Sequence, residues 1–203
     1  MPRRIYLAGP EVFLPDAGDV GRRKQAICAE HGFDGVFPLD PALDLEGRSP
    51  REAGLEIGRA NEDLIRSCHA LIANMTPFRG IGMDPGTAFE MGFMRALDRP
   101  VLGYTNAPES FLERTRTRIP TRRRADGRHE DGDGLVIEDH GFADNLMLEG
   151  AVIRSGAEVA RHRAAPAERY TDLTAFTACV RALRAFWPRA AGEGGAGVGS
   201  RPA

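Results

Sequence analysis

The chain of 203 residues is 42% hydrophobic and 28% charged, and its formal net charge at pH 7 is −2. These values indicate one soluble domain with a substantial core, and they disfavour a general nucleic-acid surface. No stretch is long enough to cross a bilayer, and the apolar stretch after Met1 is too short for a signal peptide. Because Cys28, Cys68 and Cys179 are scattered, we expect buried free thiols in a reducing cytoplasm and no metal site.

Apolar runs alternate with stretches of helical periodicity along the first half of the chain. Strands are predicted at 4–10, 35–38, 70–75 and 100–104, and helices at 19–30, 51–68 and 85–97. This alternation predicts an α/β fold in which helices cover both faces of a parallel sheet. Ligands of such sheets bind outside the carboxyl ends of the strands, which here points to the loops after Gly9, Met75 and Tyr104.

The predicted helix at 51–68 has one apolar face, which we expect to point inward and to consist of Leu55, Ile57, Ala60, Leu64 and Ile65. From 113 to 139 seven arginines alternate with turn formers, and acidic residues follow. We predict a long solvated loop there rather than an RNA-binding patch, because no aromatic residue interrupts the basic run. Helices are predicted again at 144–153 and 171–187. The chain is thus one domain at 1–188, followed by a Gly-rich tail at 189–203 that is predicted to be disordered.

One segment combines a strand end, a glycine-containing turn and a helix start with two carboxylates. Its sequence is DPGTAFEMG at 84–92, and it follows the apolar run at 70–75. Glu90 lies at the edge of the apolar face of the predicted helix, near the end where the helix dipole favours negative charge. A shielded but ionised carboxylate suits a nucleophile. The alternative is that Glu90 is a solvated glutamate at the rim and Asp84 a plain helix cap.

A third carboxylate, Asp63, lies on the preceding helix. If the loops converge, Asp63, Asp84 and Glu90 share one cleft beside Tyr6. Their repulsion would keep at least one of them protonated at neutral pH, and an ionised carboxylate beside a protonated one suits retaining cleavage at an anomeric carbon. Taken alone, Asp63 is better explained as an exposed acid in the middle of a helix. Phosphate-binding glycine loops, the serine-hydrolase elbow and zinc-ligand spacings are missing from the sequence.

Four stretches of the chain together resemble the nucleoside 2-deoxyribosyltransferase family. They are IYLAGP at 5–10 with Phe13, NED at 61–63, DPGTAFEMG at 84–92 and DNLM at 144–147. The resemblance implies a flavodoxin-like, Rossmann-like α/β fold. It also implies exchange of the base of a 2′-deoxynucleoside with a free base through a covalent deoxyribosyl-enzyme, without a metal or an organic cofactor.

The resemblance also implies roles for the catalytic residues. Glu90 would be the nucleophile that carries the deoxyribosyl group. Asp84 and Asp63 would hold the base and handle its proton, and Tyr6 would help to position Glu90.

The same likeness implies the substrate-binding residues and the assembly. Gly9, Phe13 and Gly86 lie in the motifs that would contact the substrate. Asn145 and Met147 would reach the sugar in the site of a neighbouring subunit. We therefore expect a homo-oligomer, a dimer or higher, with no nucleic-acid partner and no membrane partner.

Two other functions stay open on the sequence. One is an N-glycoside hydrolase of nucleosides or nucleoside 5′-monophosphates. A phosphate nest after the first strand is disfavoured by the sequence GPEVF at 9–13, although Arg48 and Ser49 in the next loop could contact a phosphate. The other is a non-catalytic sensor that binds a nucleotide derivative on the same fold. A sensor would not need an ionised Glu90.

Overall fold

The structure, a computed structural model, describes residues 1–39 and 43–187. Within these ranges the strands are β1 (Arg3–Ala8), β2 (Phe33–Val36), β3 (Ala70–Asn74), β4 (Val101–Thr105), β5 (Thr121–Arg123), β6 (His129–Asp131), β7 (Val136–Ile137) and β8 (Ala160–Arg161). The helices are α1 (Ala17–Glu30), α2 (Pro50–Ser67), α3 (Pro85–Ala96), α4 (Phe111–Arg118), α5 (Leu146–Arg154) and α6 (Thr174–Phe186). Short 3-10 helical turns lie at Pro10–Phe13 and Pro166–Glu168. The predicted tail at 189–203 lies outside the described residues.

Five strands form one parallel sheet in the order β2-β1-β3-β4-β8. In its register Tyr6 of β1 lies between Val36 of β2 and Leu71 of β3. This is the strand order of flavodoxin-like folds, so the predicted α/β fold with a parallel sheet is confirmed. The winding of the chain reverses between β1 and β3, and folds of this kind bind ligands in the crevice outside that switch point.

Successive side chains of β1 point to opposite faces of the sheet. Ile5 and Leu7 lie in a buried cluster with residues of α1 and α6. Tyr6 and Ala8 lie in a second buried cluster, on the other face, with residues of α2, α3 and α5. Helices therefore cover both faces, and Tyr6 lies on the same face as α3, the helix that contains Glu90.

The local sequence explains where two of the helices begin. The side chains of Ser49 and Ser110 each accept a hydrogen bond from a backbone N–H three residues further on. Glu52 and Glu113 accept one in return, so α2 and α4 both begin with a capping box. Pro50 occupies the first turn of α2, where its missing N–H breaks no helical hydrogen bond.

The prediction of a long loop at 113–139 is wrong. This segment contains most of α4 and the antiparallel sheet β5-β6-β7. Glu130 of β6 is buried, and its carboxylate accepts hydrogen bonds from Arg122 and Arg124. Arg122 and Arg124 therefore pair with an acidic residue that follows them in the sequence, although both arginines stay exposed to solvent. Strands of two or three residues are too short to produce a recognisable period in the sequence.

Two of the core positions predicted for α2 are also wrong. Leu55 and Ile57 are exposed, whereas Ile65 is buried and Leu64 packs against the second cluster. Residues two apart on a helix do not face the same side, so Leu55 and Ile57 cannot both join the face that contains Ile65.

All three cysteines are buried and unpaired. Burial raises the pKa of Cys28 to about 12 and that of Cys68 to about 11, so both thiols are neutral at pH 7. Along residues 1–39 and 43–187, no helix has the length and apolar character needed to cross a membrane. The same residues contain no group of three or more His, Cys, Asp or Glu side chains arranged to hold a metal ion.

Candidate active site

Tyr6 and Glu90 connect β1 to α3 at the switch point of the sheet. The Tyr6 hydroxyl donates a hydrogen bond to Glu90 Oε1 at 2.6 Å. Tyr6 is fully buried, whereas Glu90 is only partly buried. A rigid buried donor thus orients a carboxylate that keeps some access to solvent, and with it access to a ligand.

The surroundings of Glu90 change its proton affinity. Burial raises the pKa of Glu90 to about 7; the Tyr6 hydrogen bond lowers this pKa, and the charge of Asp84 raises it. Burial and the charge of Glu90 raise the pKa of Tyr6, so the phenol keeps its proton and remains a donor. At pH 7 Glu90 is therefore divided between its protonated and ionised forms. The ionised form is a shielded carboxylate of the kind that attacks an electrophilic carbon.

Asp84 is the N-cap residue of α3, and its negative charge also acts on Glu90. Its Oδ2 accepts hydrogen bonds from the Thr87 backbone N–H at 2.8 Å and from Thr87 Oγ1 at 2.9 Å. A Cβ on Gly86 would lie 3.0 Å from Asp84 Oδ2, so the glycine leaves room for this carboxylate. The two interpretations of Asp84, helix cap and member of the acidic site, are therefore compatible.

Asp63 lies in a different environment from the other two carboxylates in this single chain. Its side chain is 62% exposed on α2 and pairs with Arg59 Nη1 at 3.2 Å. The structure thus brings Tyr6, Asp84 and Glu90 together and places Asp63 on the solvent side of α2. A role for Asp63 in binding the base stays a prediction.

Gly9 and Phe13 lie in the turn that follows β1. Gly9 is buried, and a Cβ there would lie 1.9 Å from Glu11 Oε2 and 2.9 Å from Asn74 Cβ. No larger residue fits at this position while the turn keeps its shape. Phe13, at the end of the same turn, is 55% exposed, and its ring stacks on that of Phe78.

The two possible phosphate contacts after β2 are engaged in other interactions. The Ser49 side chain caps α2. Arg48 Nε donates to the backbone oxygen of Asp44 at 3.1 Å, and its guanidinium lies 4.0 Å from the Glu56 carboxylate. Both side chains therefore have partners within the chain, and their positions are explained without a bound phosphate.

Asn145 and Met147 lie at the start of α5. Asn145 Oδ1 accepts a hydrogen bond from the Met147 N–H at 3.0 Å, and its Nδ2 donates to Glu138 Oε1 at 2.6 Å. Met147 is exposed and lines a cavity of about 500 Å³ between α3 and α5. The contacts of Asn145 are thus within its own chain, and its contact with the site of a neighbour stays a prediction.

Arg114 connects three loops near this site, although the sequence placed it in a solvated loop. It is buried and donates hydrogen bonds to the backbone oxygens of Ile81 and Ala143. It also pairs with Asp144 at 3.6 Å, and Asp144 Oδ2 accepts from the Met83 N–H at 2.8 Å. Burial raises the pKa of Asp144. These contacts tie the start of α5 to the loop that ends at Asp84.

A second buried acid was missed by the sequence interpretation. Glu11 and Lys24 are both 0% exposed and form an ion pair. Glu11 Oε1 also accepts hydrogen bonds from Asn74 Nδ2 at 3.0 Å and from the Tyr104 hydroxyl at 2.8 Å. This network joins the turn after β1 to the carboxyl ends of β3 and β4.

The sequence did contain a signal for this network. Val20, Lys24 and Cys28 recur every four residues and are all buried on one face of α1. A lysine on an apolar helical face needs a buried acid as its partner.

Residues 5–147 match the sequence model of the nucleoside 2-deoxyribosyltransferase family. The match spans more than half of the chain and includes Tyr6, Asp84 and Glu90. The chain belongs to this family. The resemblance found in the four motifs is thereby confirmed, and the family places the chain among enzymes that act on N-glycosidic bonds.

Similar proteins cover most of the chain. A solved 2-deoxyribosyltransferase from Leishmania mexicana is 29% identical, with a TM-score of 0.61 over 89% of this chain and 98% of its own. A conserved protein from Enterococcus faecalis V583 has a TM-score of 0.51 at 15% identity, over 90% of this chain and 99% of its own, and shows the fold alone. An uncharacterised protein of Schizosaccharomyces pombe is 34% identical over 168 residues, which are 77% of this chain and 80% of its own.

Proposed function

We propose that the protein is a nucleoside 2-deoxyribosyltransferase, which moves the deoxyribosyl group of a 2′-deoxynucleoside from one base to another. The observation that carries this proposal is the 2.6 Å hydrogen bond from Tyr6 to Glu90, in a shielded position beside Asp84. Family membership supports the same reaction class.

In the first half-reaction, ionised Glu90 attacks C1′ of the deoxyribose and the bond from C1′ to the base nitrogen breaks. The transition state resembles an oxocarbenium ion, which the negative charge of Glu90 stabilises. Asp84 is proposed to hold the leaving base and to handle its proton. A missing 2′-hydroxyl makes the cation less unfavourable, so deoxynucleosides are the expected substrates.

In the second half-reaction, a nitrogen of the incoming base attacks C1′ of the deoxyribosyl-Glu90 ester. The ester bond breaks, Glu90 leaves as a carboxylate, and the proton on the incoming base passes to Asp84. Two displacements at C1′ retain the configuration of the nucleoside. Water in place of the base would give free deoxyribose, so slow hydrolysis is the expected side reaction.

Tyr6 is proposed to orient Glu90 for both attacks. Its buried hydroxyl has one fixed acceptor, so the carboxylate does not have to be positioned anew in each step. Asn145 and Met147 are proposed to complete the sugar site of a neighbouring subunit in a homo-oligomer. Glu90→Ala and Asn145→Ala chains that are each inactive should then recover partial activity when they form mixed oligomers.

The direct test is chromatography of the purified protein with a 2′-deoxynucleoside and a different free base. A new deoxynucleoside with the second base establishes transfer, and Glu90→Gln should abolish its formation while nucleoside binding remains. Free base and deoxyribose alone would instead identify a hydrolase. Cleavage of a 5′-monophosphate only would identify a nucleotide hydrolase, and binding without any turnover would identify a sensor.

A further inference from the structure

The turns after β1 and β3 meet through aromatic side chains at the switch point. The rings of Phe13 and Phe78 stack with their centroids 5.3 Å apart and their planes 13° from parallel. Tyr170 packs edge-on against Phe78 at 6.1 Å. We call these three residues the aromatic platform. More than half of the Phe13 side chain remains exposed, so the platform presents an open aromatic surface.

Arg79 lies directly against this platform. Its guanidinium carbon is 5.1 Å from the ring centroid of Phe13 and 4.6 Å from that of Phe78. The backbone of Arg79 has φ 54°, in the left-handed region that residues with a Cβ seldom adopt. Non-glycine residues in such conformations are concentrated at ligand-binding and catalytic sites.

The guanidinium of Arg79 has no acidic partner. In the two described ranges no carboxylate forms an ion pair with it, and its contacts are with the two rings. Arg114 and Arg169 differ in this respect, because both donate hydrogen bonds to backbone oxygens of the chain. The guanidinium of Arg79 therefore has planar, charged N–H donors that can bind a ligand at the edge of the crevice.

The loop that contains Arg79 is held in place by the segment that precedes α6. The Tyr170 hydroxyl and Arg169 Nη2 both donate to the backbone oxygen of Pro77, at 2.8 and 3.2 Å. The Phe78 N–H donates to the Gly82 backbone oxygen at 2.9 Å. Residues 169 and 170 lie beyond the region that matches the family, so this chain holds the loop with a segment outside that region.

An aromatic face beside a planar cation suits a nucleobase better than a phosphate. Bases stack on aromatic rings, whereas a phosphate has no flat face to stack. An arginine recognises the O6 and N7 acceptors of a 6-oxopurine with two parallel hydrogen bonds. A 6-aminopurine presents a donor at the same position, where it would meet the donors of Arg79.

We propose that Phe13 and Arg79 form a base subsite that selects 6-oxopurines over 6-aminopurines, the base stacking on Phe13 while Arg79 donates hydrogen bonds to O6 and N7. The assignment rests on the proposed function, because it takes the base on Phe13 to be the one that Glu90 displaces. It adds a specificity-determining residue, Arg79, and names the class of base.

The experiment is isothermal titration of hypoxanthine and of adenine into the wild-type protein and its variants, with no sugar donor present. Wild type should bind hypoxanthine more tightly than adenine. Arg79→Ala should weaken hypoxanthine binding about tenfold and leave adenine within about twofold. Arg79→Lys keeps the charge but loses the planar fork, so it should recover only part of the loss. Phe13→Leu should weaken both bases equally.

Arg66→Ala is the matched control, because Arg66 lies over the Phe93 ring at 4.7 Å and so makes the same kind of contact elsewhere. It should leave both affinities unchanged. Equal losses for both bases in Arg79→Ala, no loss for either, or no binding of hypoxanthine by wild type would each overturn the proposal. So would a loss confined to nucleoside 5′-monophosphates, which would assign Arg79 to a phosphate.

The two proposals fail in different ways. Binding of free bases needs no turnover, so a protein with this preference but without transfer would remove the proposed function and leave the base subsite. Base transfer with an unchanged preference in Arg79→Ala would remove the base subsite and leave the proposed function.

Discussion

Glu90 and Glu11 both lie near the carboxyl edge of the main sheet, and they have different kinds of partner. Glu90, on the face covered by α3, is held by the neutral hydroxyl of Tyr6 and is only partly buried. Glu11 is fully buried and is paired with the cation Lys24, whose ammonium lies 5.2 Å from the Phe176 ring of α6. Glu90 thus keeps a charge that no cation of the described residues neutralises and some access to solvent, whereas Glu11 has neither.

The difference separates a carboxylate that is proposed to react from a structural one. A hydrogen bond from tyrosine orients Glu90 but leaves its charge available to a cationic transition state. An ion pair with Lys24 neutralises Glu11 and fixes the turn after β1, the same turn that contains Gly9 and Phe13. Glu11 thus fixes the turn that borders the site in which Glu90 is proposed to react.

The largest expected effect is on turnover by Glu90→Gln. The amide keeps the shape of the side chain but cannot act as an anionic nucleophile, so kcat/KM for base exchange should fall by about 10⁴-fold. Steady-state rates from chromatography measure this loss. Glu30→Gln, an exposed glutamate at the end of α1, is the control and should retain wild-type rates. Exchange by Glu90→Gln at near wild-type rates would remove Glu90 as the nucleophile.

The second effect is on stability, through Lys24→Met. The change leaves the Glu11 carboxylate buried without its cation, so the free energy of unfolding should fall by about 3–5 kcal/mol. The double variant Glu11→Gln/Lys24→Met removes both charges and should recover most of that loss. Urea unfolding followed by circular dichroism measures both. A double variant as unstable as the single one would contradict the structural role assigned to the pair.

The third effect is on rate and pH dependence, through Tyr6→Phe. The loss of one hydrogen bond to a charged group should lower kcat/KM about 10–100-fold. In the wild type, kcat/KM should rise with pH through about 7, as Glu90 ionises. Because the Tyr6 hydrogen bond lowers the pKa of Glu90, its removal should shift this rise to higher pH. A rise that stays at the wild-type pH would show that Tyr6 does not tune Glu90.

The smallest effect is on the pH dependence of stability. The pKa of Glu90 rises from 4.5 to about 7 on folding, so the folded state binds this proton more tightly. The resulting stabilisation is present below pH 4.5 and is lost as pH rises through about 7. Between pH 5 and 8, wild type should therefore lose on the order of 1 kcal/mol relative to Glu90→Gln. Parallel urea titrations would disprove this if the difference stayed constant with pH.

The main sheet could be predicted because β1, β3 and β4 each contain an apolar run that lies between helical stretches. The grouping of Glu90 and Asp84 could be predicted because both lie in one short motif, and that of Tyr6 with them because the first strand lies beside this motif in such a sheet; their catalytic roles stay predictions. The sheet at 121–137 could not, since its strands are stabilised by charge pairs such as Arg122 with Glu130 rather than by apolar periodicity. The exposure of Asp63 on α2 could not be predicted either, because an acidic residue near the end of a helix is compatible with a solvent-facing or a site-facing position.

By itself, the sequence determined the alternation of strands and helices in the main sheet, the starts of α2 and α3 and the identity of the acidic motif. Each of these depends on neighbours within a few residues, where propensity, capping and periodicity act. Only the tertiary structure decided which distant residues meet. Tyr6 reaches Glu90 across 84 positions, Glu11 reaches Tyr104 across 93, and Pro77 accepts from Tyr170 across 93. Such pairs are set by the packing of helices on the sheet, and no local pattern encodes which side chains that packing brings within hydrogen-bonding distance.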